Sequence, residues 1–197
     1  MLTAASVTST TASAGSAIEV EASSSRSLDA AKQFIMDLAQ QSMIALQTPD
    51  KSSPQRQTEF RELWRDGVAF KTTSRFVLGR YWRSATPEQR ERYQELFVDS
   101  VMRTSETVLS NFDDDELIVT DTRLAGKKDI LVSTKLIHSK GPAVPVDWRV
   151  RIIDDRYQVI DVAIEGVSMA LTKRSEYSSV VKNRGMEGLL TALQPNI

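Results

Sequence analysis

The chain has no cysteine, a single histidine, eight glycines, six prolines and few aromatic residues (7%) among its 197 amino acids. Without cysteine there can be no disulfide, no thiolate metal site and no cysteine nucleophile. That absence suits an oxidising compartment such as the periplasm, and it also suits many cytosolic proteins. One histidine excludes a His-rich metal site. No apolar run approaches the ~20 residues of a membrane-spanning helix. The charges nearly cancel, giving a net of −1, whereas a general nucleic-acid binder carries a basic excess. No phosphate-binding loop, dinucleotide fingerprint or zinc motif is present. What the chain does have is 41% hydrophobic residues, enough to bury a core in one large domain.

Residues 1–25 are mostly Ser, Thr and Ala. Such a segment buries too little apolar surface to offset chain entropy and is expected to be disordered. It contains Ala12-Ser13-Ala14, of the A-x-A form read by signal peptidases, without the basic and apolar regions that precede such a site. It is read either as the remnant of a trimmed signal or as a flexible leader, and residues 26–197 form a single domain.

Periodicity of three to four predicts a helix from about Ser27 to Leu46, with Leu28, Ala31, Phe34, Ile35, Leu38, Ser42 and Ala45 on one face. Thr48-Pro49-Asp50 stops it. A second helix starts near Pro54 and carries Phe60, Leu63 and Trp64 up to a break at Gly67. Val68, Phe70, Phe76, Val77 and Leu78 predict a short helix ending at Gly79. Thr86-Pro87-Glu88-Gln89 has the form of a capping box with proline at the first helical position, and opens a helix from about Pro87 to Leu109. The run Asp113-Asp114-Asp115 that follows reads as a solvated turn, since a calcium loop needs more oxygen ligands at set spacing.

From Glu116 the period changes to two. Four strands are predicted, at about 116–124, 129–139, 144–154 and 156–165, joined by short turns. The third alternates cleanly, with Val144, Val146, Trp148, Val150 and Ile152 opposite Asp147, Arg149 and Arg151. The fourth places Ile160, Val162 and Ile164 on one face. After Ser168 the pattern is helical again, with Gly185 and Gly188 punctuating two short helices. The fold class is α+β: a four-stranded antiparallel sheet covered by helices on its apolar side.

No catalytic set emerges, and the chain is not expected to be an enzyme. His138 sits near a strand end and reads as a surface or hairpin residue, with no nucleophile elbow to serve. Asp161 and Glu165 share a strand face about 13 Å apart at ~3.3 Å per residue, beyond the ~5–9.5 Å of glycosidase carboxylate pairs. Hydrogen bonding to loop amides suits them better. Arg75, Arg80, Arg83, Arg90 and Arg92, interleaved with Tyr81 and Trp82, are read as an ion-paired helix surface neutralised by Glu88, Glu91, Glu95 and Asp99. If that cluster binds anything, an anionic protein surface or a lipid head group fits it. The aromatic and aliphatic inventory, Tyr93 included, fits an ordinary close-packed core or a cavity for an apolar ligand.

Several segments resemble the MlaC, or toluene-tolerance, family of periplasmic phospholipid-binding proteins. They are Phe76-Val77-Leu78-Gly79-Arg80-Tyr81-Trp82-Arg83 with Ala85-Thr86-Pro87-Glu88-Gln89-Arg90 and Phe97; Val146-Asp147-Trp148-Arg149-Val150; and Val159-Ile160-Asp161-Val162 through Glu165-Gly166-Val167-Ser168-Met169, Arg174-Ser175-Glu176-Tyr177 and Gly185-Met186-Glu187-Gly188-Leu189-Leu190. The similarity runs in order from about Leu28 to Leu193. It implies a nuclear-transport-factor-like sheet and helices enclosing an apolar lipid cavity. It implies a periplasmic carrier, with phospholipid as cargo and no cofactor or metal, that shuttles between an inner-membrane Mla transporter and an outer-membrane lipoprotein complex. Such a carrier would keep outer-membrane lipid asymmetry, and its role implies a monomer. The expected cavity lining is Phe70, Phe76, Tyr81, Trp82, Phe97, Val101, Trp148, Val150, Ile152, Val162, Ile164 and Val167. Arg80, Arg83 and Arg90 are the partner-docking candidates. The family includes a hopanoid-associated branch, so another apolar lipid is an alternative cargo, and a docking module with a filled core is the alternative role.

Overall fold

In the computed structural model, residues 12–47, 52–109, 116–137 and 141–195 are described, with side chains from residue 27 onward. Helices α1 (Ala12–Gln47), α2 (Ser53–Gly67), α3 (Phe70–Leu78), α4 (Tyr81–Ser84) and α5 (Pro87–Leu109) precede the sheet. Strands β1 (Glu116–Ala125), β2 (Asp129–Ile137), β3 (Val144–Ile153), β4 (Arg156–Ile164) and β5 (Val167–Ser168) follow, and α6 (Met169–Leu193) ends the chain. His138, the Asp113–Asp115 run and the Thr48-Pro49-Asp50 stop lie outside the described residues.

Local chemistry fixes most boundaries. At the start of α5, Thr86 Oγ1 accepts from the Gln89 amide at 3.2 Å and Gln89 Oε1 accepts from the Thr86 amide at 3.2 Å, which is the reciprocal cap read from the sequence. Gly79 ends α3 with φ +58°, where a side chain would be strained. Helix α1 differs from expectation at its start. It begins at Ala12, so residues 12–25 are helical where disorder was expected. Extending a helix already anchored by packing needs only propagation, without the costly nucleation step. In α6 the only non-helical backbone is at Gly185, while Gly188 lies within the helix and does not punctuate it.

The sheet has five antiparallel strands in sequential order, not four. The extra strand is short. Glu165 and Gly166 both take positive φ (51° and 79°), a tight turn that folds Val167 and Ser168 back onto Ile164 and Ala163. Asp154 and Asp155 (φ 49° and 58°) make the β3–β4 turn in the same way.

Two register shifts decide which side chains face inward. Val119 pairs with Thr134 and Asp121 with Ser133, so Thr120 is an extra residue in β1. Arg149 pairs with Asp161 and Val150 with Val159, so Ile160 is an extra residue in β4. Beyond such a bulge the alternation changes sides. The inward set of β4 is therefore Val162, Val159 and Tyr157, and Ile160 drops out of the face assigned to it from strict alternation. The bulge also has a docking role. The Val159 carbonyl accepts from the Ala69 amide at 2.9 Å, and the Ile160 carbonyl accepts from Thr73 Oγ1 at 3.1 Å. The α2–α3 connection thus covers an edge of β4 that β5 is too short to pair.

The inner face of the sheet packs against α1, α2 and α5. Ala31, Ile35, Leu38, Phe60, Trp64, Met102, Ile130, Val132, Val150 and Val159 form one buried cluster. A second cluster lies among the helices: Val77, Leu78, Tyr93, Phe97, Tyr177, Leu189, Leu190 and Leu193 join α3, α5 and α6.

Candidate functional site

The expected lining does not form one surface. Val150 is fully buried on the inner face, and Trp148 and Val162 are partly buried in the same cluster. Phe97, Tyr81 and Trp82 belong instead to the helical cluster, and Phe70 and Val101 pack against both. Ile164 pairs with Val146 on the inner side of β4 and is half-buried. Phe76, Ile152 and Val167 face solvent at 43%, 49% and 53% exposure. Helical spacing tells which residues share a face, but not which neighbour that face meets, so the expected lining spans two clusters. The inner face also carries residues absent from the expected lining. Ile130 and Val132 were readable from the alternation of β2; Val159 was concealed by the bulge.

The polar groups of this face are internally satisfied. Trp148 Nε1 donates to Thr134 Oγ1 at 3.1 Å, and Thr134 Oγ1 donates to the Val146 carbonyl at 2.8 Å. Thr134 is 1% exposed, so this hydroxyl does work that no water could take over cheaply. In the roof, Trp64 Nε1 donates to Ser42 Oγ at 3.0 Å, and Ser42 Oγ donates to the Leu38 carbonyl at 2.6 Å. The result is an apolar slab with no unpartnered buried polar side-chain atom among the described residues. It offers a surface that hydrocarbon can replace without leaving a donor or acceptor unpaired.

The slab is closed, with Val132, Val150 and Phe60 all at 0% exposure. A cleft of about 420 Å³ opens between α1 and α2, lined by Gln41, Ile44, Ala45, Glu59, Glu62, Leu63 and Asp66. Ala45 and Leu63 also pack in the sheet-facing cluster, so the floor of the cleft is the roof of the slab. A smaller depression of about 210 Å³ is lined by Leu46, Ser53, Arg56, Gln57 and Glu106. Neither contains a residue of the expected lining.

Asp161 serves the fold. Its Oδ1 accepts from the Ala170 amide at 3.0 Å and its Oδ2 from Ser168 Oγ at 2.5 Å, while Ser168 Oγ caps α6 by accepting from the Leu171 amide at 3.1 Å. An anionic group at a helix N-terminus is favourable there. On the outer face, Asp129 accepts from Arg151 at 2.7 Å and Arg149 at 3.2 Å. Burial alone would raise the Asp129 carboxyl, but the hydrogen bonds and charge of Arg151 and Arg149 outweigh it and hold it below its ordinary value.

The arginine cluster differs from expectation. Asp99 pairs with Arg61, not with the cluster. Among the described residues, no ion pair joins Arg75, Arg80, Arg83 or Arg90 to Glu88, Glu91 or Glu95. The guanidinium groups meet rings and carbonyls. Arg75 and Arg90 lie 5.8 and 5.6 Å from the Trp82 ring centre, and Arg80 lies 4.9 Å from that of Tyr81. Arg90 also donates to the Trp82 carbonyl at 2.7 Å and the Arg83 carbonyl at 3.2 Å, which makes it a clamp on α4.

Among the described residues no three His, Cys, Asp or Glu side chains are grouped as metal ligands would be. No helix among them is long and apolar enough to cross a membrane.

Comparison with known proteins now bears on the slab. The chain is 26% identical over 106 residues to toluene tolerance protein ttg2D of Pseudomonas putida, an alignment covering 54% of this chain and 49% of that protein. It is 25% identical over 123 residues to the intermembrane phospholipid transport system binding protein MlaC of Haemophilus influenzae, covering 60% and 57%. The chain thus aligns with about half the length of these relatives. The structure of a phospholipid-binding protein from Ralstonia solanacearum, solved in complex with a phospholipid, superposes with a TM-score of 0.71 at 23% identity, covering 83% of this chain and 94% of that one. At that identity the likeness shows a shared fold. The family model for MlaC protein matches residues 36–195, from the last turns of α1 through the end of α6, and the chain belongs to the MlaC family.

Proposed function

We propose that this protein is a phospholipid carrier whose acyl chains lie against the inner face of the sheet, between it and the α1–α2 pair. The observation that carries this is the unbroken apolar face of Ile130, Val132, Val150, Trp148, Val162 and Val159 under a helical roof. The names of the curated relatives and the lipid in the Ralstonia structure support it. Because the face is closed, loading must part α1 and α2 from the sheet, and the cleft above Ala45 and Leu63 is where that separation would begin.

The energetics permit such an exchange. Exposing several large roof side chains costs roughly 1.5–3 kcal/mol each, on the order of 10 kcal/mol together. Two chains of about sixteen carbons, at ~0.8 kcal/mol per CH₂ taken out of water, return on the order of 25 kcal/mol before losses in chain entropy. A lipid can therefore displace the roof, while the empty protein stays closed and soluble.

In this reading the carrier works in the periplasm, between an inner-membrane Mla transporter and an outer-membrane lipoprotein complex, maintaining outer-membrane lipid asymmetry; membership of the MlaC family supports it. It works there as a monomer that makes and breaks no bond, with phospholipid as cargo and no cofactor. The test is native mass spectrometry of the purified full chain, followed by lipid extraction and identification. The expected result is co-purified glycerophospholipid. A folded, lipid-free protein that takes up no phospholipid from vesicles would sink the proposal, and a hopanoid in place of glycerophospholipid would change the cargo but not the site.

A further inference from the structure

A second feature lies away from the slab, where the end of α3, the short α4 and the first half of α6 meet. Arg174 reaches across from α6, its guanidinium 4.8 Å from the Phe76 ring centre and donating to the Phe76 carbonyl at 3.2 Å. Leu171, one turn earlier on the same helix face, is 58% exposed, and Phe76 is 43% exposed. Arg80 donates to the Tyr81 hydroxyl at 2.9 Å. Hydrogen bonding from Arg80 and Ser178, with the charges of Arg80 and Lys182, holds the Tyr81 phenol below its ordinary range. Arg75 and Arg83 are exposed.

None of Arg75, Arg80, Arg83, Arg174 and Lys182 has a carboxylate partner among the described residues. Lys173, by contrast, is paired with Glu176 at 2.8 Å. The whole chain has a net charge of −1, so this is a segregation of cations and not a general basic excess. The guanidinium groups of Arg75, Arg80 and Arg174 lie over the rings of Trp82, Tyr81 and Phe76, which puts cations next to exposed apolar tips.

We propose that this face docks the protein on a bilayer surface displaying anionic phospholipid head groups. The charge is complementary, and exposed Phe and Leu tips among cations are the composition of an interfacial contact. The contact does not depend on lipid being carried, since the slab is a separate surface.

The test is co-sedimentation of the full chain with phosphatidylcholine vesicles, with and without phosphatidylglycerol, at low and raised salt. Binding is expected only with phosphatidylglycerol and should weaken as salt rises. Each surface cation near an anionic leaflet is worth about fivefold, so Arg75→Gln, Arg80→Gln and Arg174→Gln together lower partitioning by about a hundredfold. The corresponding Lys triple, which keeps the charge, retains binding. Circular dichroism establishes that both triples are folded, and the salt series on the parent chain tests the idea without any variant. Equal binding to both vesicle types, no binding, or an unaffected Gln triple overturns it. Absence of vesicle binding together with capture on polyglutamate that the Gln triple loses overturns the bilayer and gives the face to an acidic protein partner.

Discussion

Val150→Ala separates the two roles of the inner face. Val150 is fully buried and pairs with both Ile130 and Val159. Removing its two methyl carbons forfeits about 1.6 kcal/mol of transfer free energy at ~0.8 per carbon. A cavity of about 50 Å³ adds roughly 1.2 kcal/mol at ~24 cal/mol per Å³. The delipidated variant should therefore be less stable by about 2.5–3 kcal/mol, read as a lower urea midpoint at unchanged slope. Lipid changes the balance. If acyl chains replace the roof on this face, they flow into the space left by the methyl groups, and the cavity part of the penalty disappears from the loaded state. The transfer part is lost in both states. Relative to the parent, the variant should bind phospholipid more tightly by the cavity term alone, about fivefold to tenfold. The assay is uptake of a fluorescent phospholipid by delipidated protein, alongside urea denaturation. A variant that is destabilised as computed yet binds lipid no more tightly, or more weakly, refutes the placement of the chains on this face. Val150→Arg is a poorer probe, because a guanidinium forced into this position would cost several kcal/mol and unfold the protein before it could report on lipid.

Thr134→Val keeps the shape of the slab and leaves Trp148 Nε1 without its acceptor, so stability should fall by about 1–3 kcal/mol, with a change in tryptophan fluorescence marking the site. Asp129 gives the acid response. Its carboxyl is held below its unfolded value by Arg151 and Arg149, so the stability it contributes is present above the unfolded carboxylate pKa of about 3.9 and is lost as pH falls through the lower folded value. The urea midpoint should drop through that range, and Asp129→Asn should remove part of the drop; identical acid profiles for the two proteins would refute the assignment.

Much of this molecule was legible in the chain. The α5 cap, the Gly79 stop, the Asp154-Asp155 turn and the strand alternation are local events, set by side chains that reach neighbouring backbone groups within a few residues. The family resemblance was carried by the same segments, and the role of Asp161 in binding amides followed from the wrong spacing for a carboxylate pair. Other features depended on contacts between distant segments. The bulge at Ile160 goes with carbonyls of β4 that accept from Ala69 and Thr73, contacts from distant segments that nothing within the strand announces. The fifth strand is two residues long, too short to show a period. Tyr81, Trp82 and Phe97 left the expected lining because periodicity gives a helix its apolar side but not its neighbour. Arg75, Arg80 and Arg90 lie over rings rather than against Glu88, Glu91 and Glu95, since sequence proximity does not bring side chains of opposite charge to the same point in space. Sequence by itself determined the elements, their apolar faces and the kinship. Only tertiary structure decided that the sheet face is closed by its own roof and that the arginines near the end of α3 meet rings and carbonyls, with no carboxylate partner among the described residues, because both are set by which long-range partners each face meets.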